Sequence, residues 1–322
     1  MKYECELSRR DFLRAAAVAT TVSFAKAPAI LAHPDPGEVV RFGFIGTGTQ
    51  GCNLLRFLTT IPQGRCVATC DIYPPNLKKG VEIIGTNPDT YGDYRRLLER
   101  KDVDAVMIAT PLHLHARMII DSLEAGKHVF VEKSMFFKEE EAAPIRQATA
   151  AHPQQIVQVG LQRRSSVLYQ VGVEMVRKGA LGKIMFVQSR VDSSRDWRRP
   201  VVDPQYERLI NWRMYREYSG GLMAEMGSHF FDVIQWAMDA EPISVTGAGG
   251  IDYWKDGRET HDNVQAIFEY PDGRKLYFRS MLFNGHNGIG IAIMGVEGTL
   301  DLTDEKGLYF REPAAKISAG TR

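Results

Sequence analysis

Short apolar runs alternate with amphipathic stretches along the first half of the chain. Val40 to Gly46, Cys66 to Asp71, Asp104 to Ala109, Lys127 to Val131 and Ile156 to Gly160 are apolar runs bounded by turn residues, and they predict buried strands. Between them lie stretches with helical spacing: Cys52 to Thr60, Pro75 to Ile84, Tyr94 to Arg100 after a start at Tyr91-Gly92-Asp93, Ala116 to Ala125, and Glu139 to about Ala151. Strands alternating with helices imply a parallel sheet with right-handed crossovers. The second half changes pattern. Ser166 to Lys178 predicts a helix, Lys183 to Val191 a strand and Asp192 to Pro204 a polar loop. Ile243 to Ala248, Val264 to Tyr270, Lys275 to Phe283 and Ile289 to Val296 then predict strands, with Pro271-Asp272-Gly273 as a hairpin turn.

The first apolar run ends in Gly46-Thr47-Gly48-Thr49-Gln50-Gly51 and opens a helix. This is G-x-G-x-x-G in the context its chemistry needs. Gly46 makes the tight turn, Gly48 lets backbone approach a pyrophosphate, and Gly51 lets the helix pack on its strand. The helix N-terminus then offers N–H groups and partial positive charge to phosphates. The second strand ends at Asp71, 20 residues past Gly51 (71 − 51), where an acceptor for a ribose hydroxyl belongs. Ile72-Tyr73-Pro74-Pro75 follows without Arg or Lys for a 2′-phosphate, so NAD is favoured over NADP. The fold class expected is α/β: a dinucleotide-binding domain of Rossmann type over 38–160, then an α+β domain with a mostly antiparallel sheet over 161–322.

Ligands in such sheets sit beyond the carboxyl ends of the strands. Thr110-Pro111-Leu112-His113-Leu114-His115 follows one strand end and is placed to cover the nicotinamide; Thr110, Pro111 and His115 are expected cofactor contacts, and His113 is equally a satisfied helix-start histidine. Glu132-Lys133-Ser134 closes a later strand. An ammonium fixed there would stabilise the alkoxide formed as hydride leaves a carbinol. From Gly221 to Met238 the only ionisable residues are Glu225, His229 and Asp232, within one narrow stripe at helical spacing. That helix should be mostly buried, and buried carboxylates are costly unless paired or used. Glu225 and His229 stand i, i+4, so the acid can fix the imidazole tautomer.

Net charge is +1 and no basic stripe is interleaved with aromatics, so nucleic-acid binding has no support. No metal site is expected. Cys66 and Cys70 lie on one strand, too far apart to bridge, so no structural disulfide is expected with Cys52, Cys66 and Cys70. Residues 1–33 carry Ser8-Arg9-Arg10-Asp11-Phe12-Leu13-Arg14, an uncharged stretch and small-residue sites such as Ala25-Lys26-Ala27. They read as a cleavable twin-arginine export signal, with a periplasmic or extracytoplasmic destination. No later segment reads as a membrane span.

Taken together, GTGTQG, ATPLHLHARMIIDSLEAGKHVFVEKS, GGLMAEMGSHFFD and HDNVQAIFEYPDG resemble the glucose–fructose oxidoreductase, inositol dehydrogenase and MocA family, from Val40 to about Leu302. The resemblance implies a catalytic or substrate-orienting role for Lys133, and a site completed by an acid and a His four residues on, here Glu225 and His229. The family more often has Asp at 225, and Pro at 134, whose peptide is often cis. It also implies hydride transfer between a sugar-like carbinol and NAD: His229 takes the hydroxyl proton, Lys133 polarises the oxygen and Glu225 orients His229. Glu132 joins Lys133 among the cofactor contacts. Arg163, Trp197, Trp212 and Arg213 are the candidates for sugar selection. An exported enzyme would keep and recycle its NAD, either as an oxidoreductase or as a redox-neutral glycosidase working through a ketone. A non-catalytic sugar-binding protein is the rival from another class. The open sheet of the second domain is the expected surface for a homo-oligomer.

Overall fold

The computed structural model describes residues 39–313, so the export-signal reading lies outside the described residues. Two compact units divide them: 39–160 with 199–219, and 161–198 with 220–313. The unit that begins at Leu161 leaves out 199–219, which cluster with the nucleotide unit. The excursion at 199–219 belongs to the nucleotide unit because its aromatic residues pack there.

The first unit runs β1 (Val40–Ile45), α1 (Thr49–Leu58), β2 (Gly64–Cys70), α2 (Pro74–Ile84), β3 (Asp89–Tyr91), α3 (Tyr94–Leu98), β4 (Ala105–Ile108), α4 (His115–Glu124), β5 (His128–Val131), α5 (Ala142–Ala151) and β6 (Val157–Val159). The sheet order is β3-β2-β1-β4-β5-β6, with every pair parallel. This is the doubly wound order in which the chain reverses direction beside β1. One core layer joins Ile45, Val106, Ile108, Val129 and Val131 to Ala116, Ile119 and Leu123 of α4; another joins Phe44 and Cys66 to Leu55 and Leu58 of α1. β3 was not expected. Tyr91 reads as a helix start, but it pairs with Cys70, and Asp93 caps α3 by accepting from the Arg95 N–H. Three residues are too few to carry a period-2 signal.

The second unit holds α6 (Val167–Arg177), β7 (Ile184–Asp192), α7 (Ser228–Met238), β8 (Ser244–Gly250), β9 (Asn263–Glu269), β10 (Lys275–Met281), β11 (Ile289–Gly295), β12 (Gly298–Leu302) and β13 (Gly307–Arg311). Its sheet runs β13-β12-β11-β7-β10-β9-β8, antiparallel except for β7 with β10. Tyr169 and Val173 of α6 and Phe230, Val233, Ile234 and Ala237 of α7 bury against Val187, Val191, Leu276, Phe278, Ile291 and Leu300. Met185, Val245 and Ile267 on the strands are exposed. Among the described residues no helix is long and apolar enough to cross a membrane.

Two features of the nucleotide unit yield predictions. Gly46 adopts φ +92°, and a Cβ built on Gly51 would stand 1.9 Å from the Gly46 carbonyl oxygen. Gly51→Ala must therefore push α1 off β1, at about 1–3 kcal/mol of stability in urea titration; an unchanged midpoint would show that the contact relaxes at no cost. Cys52, Cys66 and Cys70 are buried, and burial pushes the Cys66 and Cys70 thiols up to about 12. A raised thiol stabilises the fold while it stays protonated. Stability should fall as pH climbs from about 9 towards 12, and iodoacetamide at pH 8 should leave both thiols unmodified in the native protein, as read by site-mapped mass spectrometry.

Candidate functional site

Four main-chain bonds align the strand ends of the nucleotide unit. The Gly46 N–H donates to the Cys70 carbonyl, Ala109 to Ile45, Glu132 to Ile108 and Gly160 to Val131, at 2.8–2.9 Å. The glycine turn, Asp71, Thr110 and Lys133 consequently leave the sheet along one carboxyl edge.

The three motif glycines are there for different reasons. Gly46 and Gly51 are required by the protein's own packing. Gly48 is not: its φ is an ordinary −65°, and a Cβ built on it would meet only Asn76 Nδ2, at 3.9 Å. A side chain there would fill open space in front of the first turn of α1, which has no side-chain cap. A diphosphate approaching those N–H groups needs that space. Asp71 closes the other side. Its carboxylate accepts from the Thr47 N–H at 2.8 Å, the Thr47 hydroxyl at 3.1 Å and the Tyr73 N–H at 2.8 Å. Burial pushes this carboxyl above its ordinary value, opposed by those donors and by the Asn76 side chain. Asp71 stands where a ribose acceptor belongs and also holds the glycine turn in shape. Neither Tyr73 nor Asn76 was picked out from the sequence; only their closeness to Asp71 signals them. Gln50 and Glu132, both expected cofactor contacts, are joined by a 2.9 Å hydrogen bond that spans the β1 and β5 ends. Thr49 is exposed beside Gln50.

The loop after β4 departs from expectation at His115. Its ring is 1 % exposed. Nε2 lies 2.9 Å from the Thr110 carbonyl and Nδ1 lies 2.7 Å from the Ser134 carbonyl. The ring is thus enclosed by main chain and not presented as the cofactor contact expected of it. His113 packs against the Tyr218 ring with centroids 4.6 Å apart, and burial, followed by the His115 charge, pushes its imidazole below the ordinary value. Thr110 and Pro111 are half-buried at the same edge. The Lys133 N–H donates to Glu132 Oε2 at 3.2 Å, and the Lys133–Ser134 peptide is cis.

Residues 199–219 lie against this edge. The Val202 N–H donates to the Tyr73 hydroxyl, Tyr206 packs on the Tyr73 ring at 5.1 Å, and Tyr218 meets His113. Trp212 is buried within this segment, with the Arg213 guanidinium over its ring at 4.3 Å.

In the second unit the helix expected from Gly221 to Met238 is interrupted. Met223–Gly227 forms a π turn, closed by the Ser228 N–H on the Met223 carbonyl, before α7 begins. The wider turn alters the single stripe expected of Glu225, His229 and Asp232. Glu225 is 3 % exposed and His229 is partly buried. Asp232 is spent on a bidentate pair with Arg164, at 2.7–2.9 Å. Arg163, expected to meet substrate, is an internal residue of this unit. It donates to the Tyr169 hydroxyl and to Asp304, and its guanidinium lies 4.3 Å from the Phe230 ring centre.

Two family models match the chain. One is the oxidoreductase family's NAD-binding Rossmann fold, over residues 40–161; the other is the GFO/IDH/MocA C-terminal domain, over 169–301. The uncharacterized oxidoreductase YrbE of Bacillus subtilis is 30% identical over 207 residues, covering 64% of this chain and 56% of its own. An alpha-N-acetylgalactosaminidase of Shewanella oneidensis is 29% identical over 238 residues, covering 65% and 50%. The chain therefore spans about half the length of these curated relatives. The crystal structure of the WlbA dehydrogenase from Bordetella pertussis, in complex with NADH and UDP-GlcNAcA, superposes with a TM-score of 0.74 at 22% identity, over 88% of this chain and 81% of that one. The described chain, with its NAD-binding Rossmann domain and its C-terminal mixed-sheet domain, belongs to the GFO/IDH/MocA oxidoreductase family.

Proposed function

We propose that the chain is an NAD-dependent oxidoreductase that acts on a hydroxyl of a sugar or polyol and keeps its NAD through successive turnovers. The observation that carries this reading is Lys133 at the end of β5, on the same sheet edge as the open space at Gly48 and the carboxylate of Asp71. Gly46 to Gly51 and the α1 N-terminus would hold the diphosphate, and Asp71 the ribose. Bound NAD supplies the hydride acceptor. Lys133 holds the carbinol oxygen and stabilises its negative charge as the C–H hydride departs. His229 takes the O–H proton, so the oxygen ends as a ketone and the proton ends on the imidazole. Glu225 fixes the tautomer of His229. Trp197, Trp212 and Arg213 are the remaining candidates for sugar recognition; the engagement of Arg163 with Tyr169 and Asp304 gives it a structural role. The exposed strands around Val245 and Ile267 support self-association of the second unit.

The resemblance to an alpha-N-acetylgalactosaminidase favours a second reading of the same site. Oxidation of one hydroxyl acidifies the neighbouring C–H, elimination expels the aglycone, water adds, and return of the hydride restores the sugar. The amino-terminal export reading supports it, because a cofactor that is recycled within each turnover needs no external supply.

Lys133→Met should abolish turnover while NAD remains bound, measured by activity and by mass spectrometry of the native protein; wild-type activity in that variant overturns the role. The two readings separate on a glycoside and polyol panel. A dehydrogenase accumulates reduced nicotinamide absorbance when NAD is added, whereas the recycling enzyme releases aglycone with no net absorbance change and no added NAD.

A further inference from the structure

Each ring nitrogen of His115 meets a carbonyl oxygen, a group that accepts hydrogen bonds and never donates them. A neutral imidazole has one N–H and one lone pair. It can satisfy one carbonyl, and its lone pair would then face the other oxygen at 2.7 or 2.9 Å. Both contacts are favourable together only when both nitrogens carry protons, and bonds from a cationic donor are the stronger kind. The position of these contacts matters as much as their chemistry. Thr110 follows β4 and Ser134 follows Lys133. On its other side, Lys133 is preceded by Glu132, whose N–H is held by the Ile108 carbonyl at 2.9 Å. The main chain at Lys133 is thus pinned on both flanks, upstream by β4 and downstream by His115.

We propose that His115 is the positioning residue for Lys133: a doubly protonated imidazolium that ties the loop after β4 to the Ser134 carbonyl and so fixes where the Lys133 ammonium points. The functional half of this rests on the catalytic reading of Lys133 given above; the structural half does not. His115 touches no reacting atom in this scheme. It acts through the backbone, and a misplacement of the ammonium of about 1 Å is enough to cost on the order of a hundredfold in rate.

The test uses the full chain with its own NAD. In protein labelled with 15N-histidine, the His115 ring, identified by its loss in His115→Phe, should show two protonated nitrogens at neutral pH. A single protonated nitrogen overturns the proposal, and this measurement needs no variant to fold well. In protein labelled with 13C at the lysine ε-carbon, the Lys133 signal, identified by its loss in Lys133→Met, should shift in His115→Phe and shift less in His115→Gln, which retains one donor. An unmoved Lys133 signal in both variants also overturns it. On a sugar that the wild type oxidises, His115→Phe should lower kcat by about ten- to a hundredfold with KM and bound NAD unchanged, and Gln should recover part of the loss. Loss of NAD with kcat preserved would instead make His115 a cofactor residue. If Lys133→Met stays active while both spectra behave as expected, the catalytic reading fails and the positioning contact stands.

Discussion

Everything at the candidate site hangs on the register of the parallel sheet at its carboxyl edge. Parallel strands joined by helices all end on one side, so residues far apart in sequence are delivered together without any contact designed between them. Here the delivery is tight, because each strand end is bonded to its neighbour: Gly46 to Cys70, Ala109 to Ile45, Glu132 to Ile108, Gly160 to Val131. The side chains then add cross-links on top of the backbone ones. Asp71 grips Thr47, Gln50 grips Glu132, and His115 bridges Thr110 and Ser134. Each link joins the ends of two different strands.

Much of this was legible in the sequence, and what was not has a common cause. Strand and helix order followed from periodicity, because a buried parallel strand is an apolar run whatever its neighbours do. The Gly46, Gly48 and Gly51 spacing and the placement of Asp71 and Lys133 are local features of strand ends. The π turn at Met223–Gly227 was not readable, since the hydrophobic spacing on either side of it fits an unbroken helix. The uses of His115, Arg163 and Asp232 were not readable either, because each depends on a partner that the fold supplies: Ser134, Asp304 and Arg164. A charged residue in an apolar helix announces that it is paired or used, and only the partner decides which. Asp232 is paired with Arg164, and Glu225 is 3 % exposed on the π turn.

The same test separates the glycines. Substitution at Gly46 and Gly51 is blocked from inside, by the Ala109 and Gly46 carbonyls, so these two would be needed by the fold with or without a ligand. Gly48 faces open space, and its backbone angles suit any residue. Its lack of a side chain has no internal explanation, which makes it the motif glycine that speaks most directly for a bound diphosphate.

The departure at Ser134 can be argued in these terms as well. A proline there would limit the backbone after the lysine through its own ring, with φ fixed near −65° and no N–H to satisfy. Serine imposes no such limit, so the conformation beside Lys133 must be held by its surroundings. The His115 bond to the Ser134 carbonyl does this from one side, and the Glu132 anchor on Ile108 from the other. On the proposal made for His115, the orientation of Lys133 then depends on the protons of a buried histidine, a dependence that a covalent pyrrolidine ring would not bring.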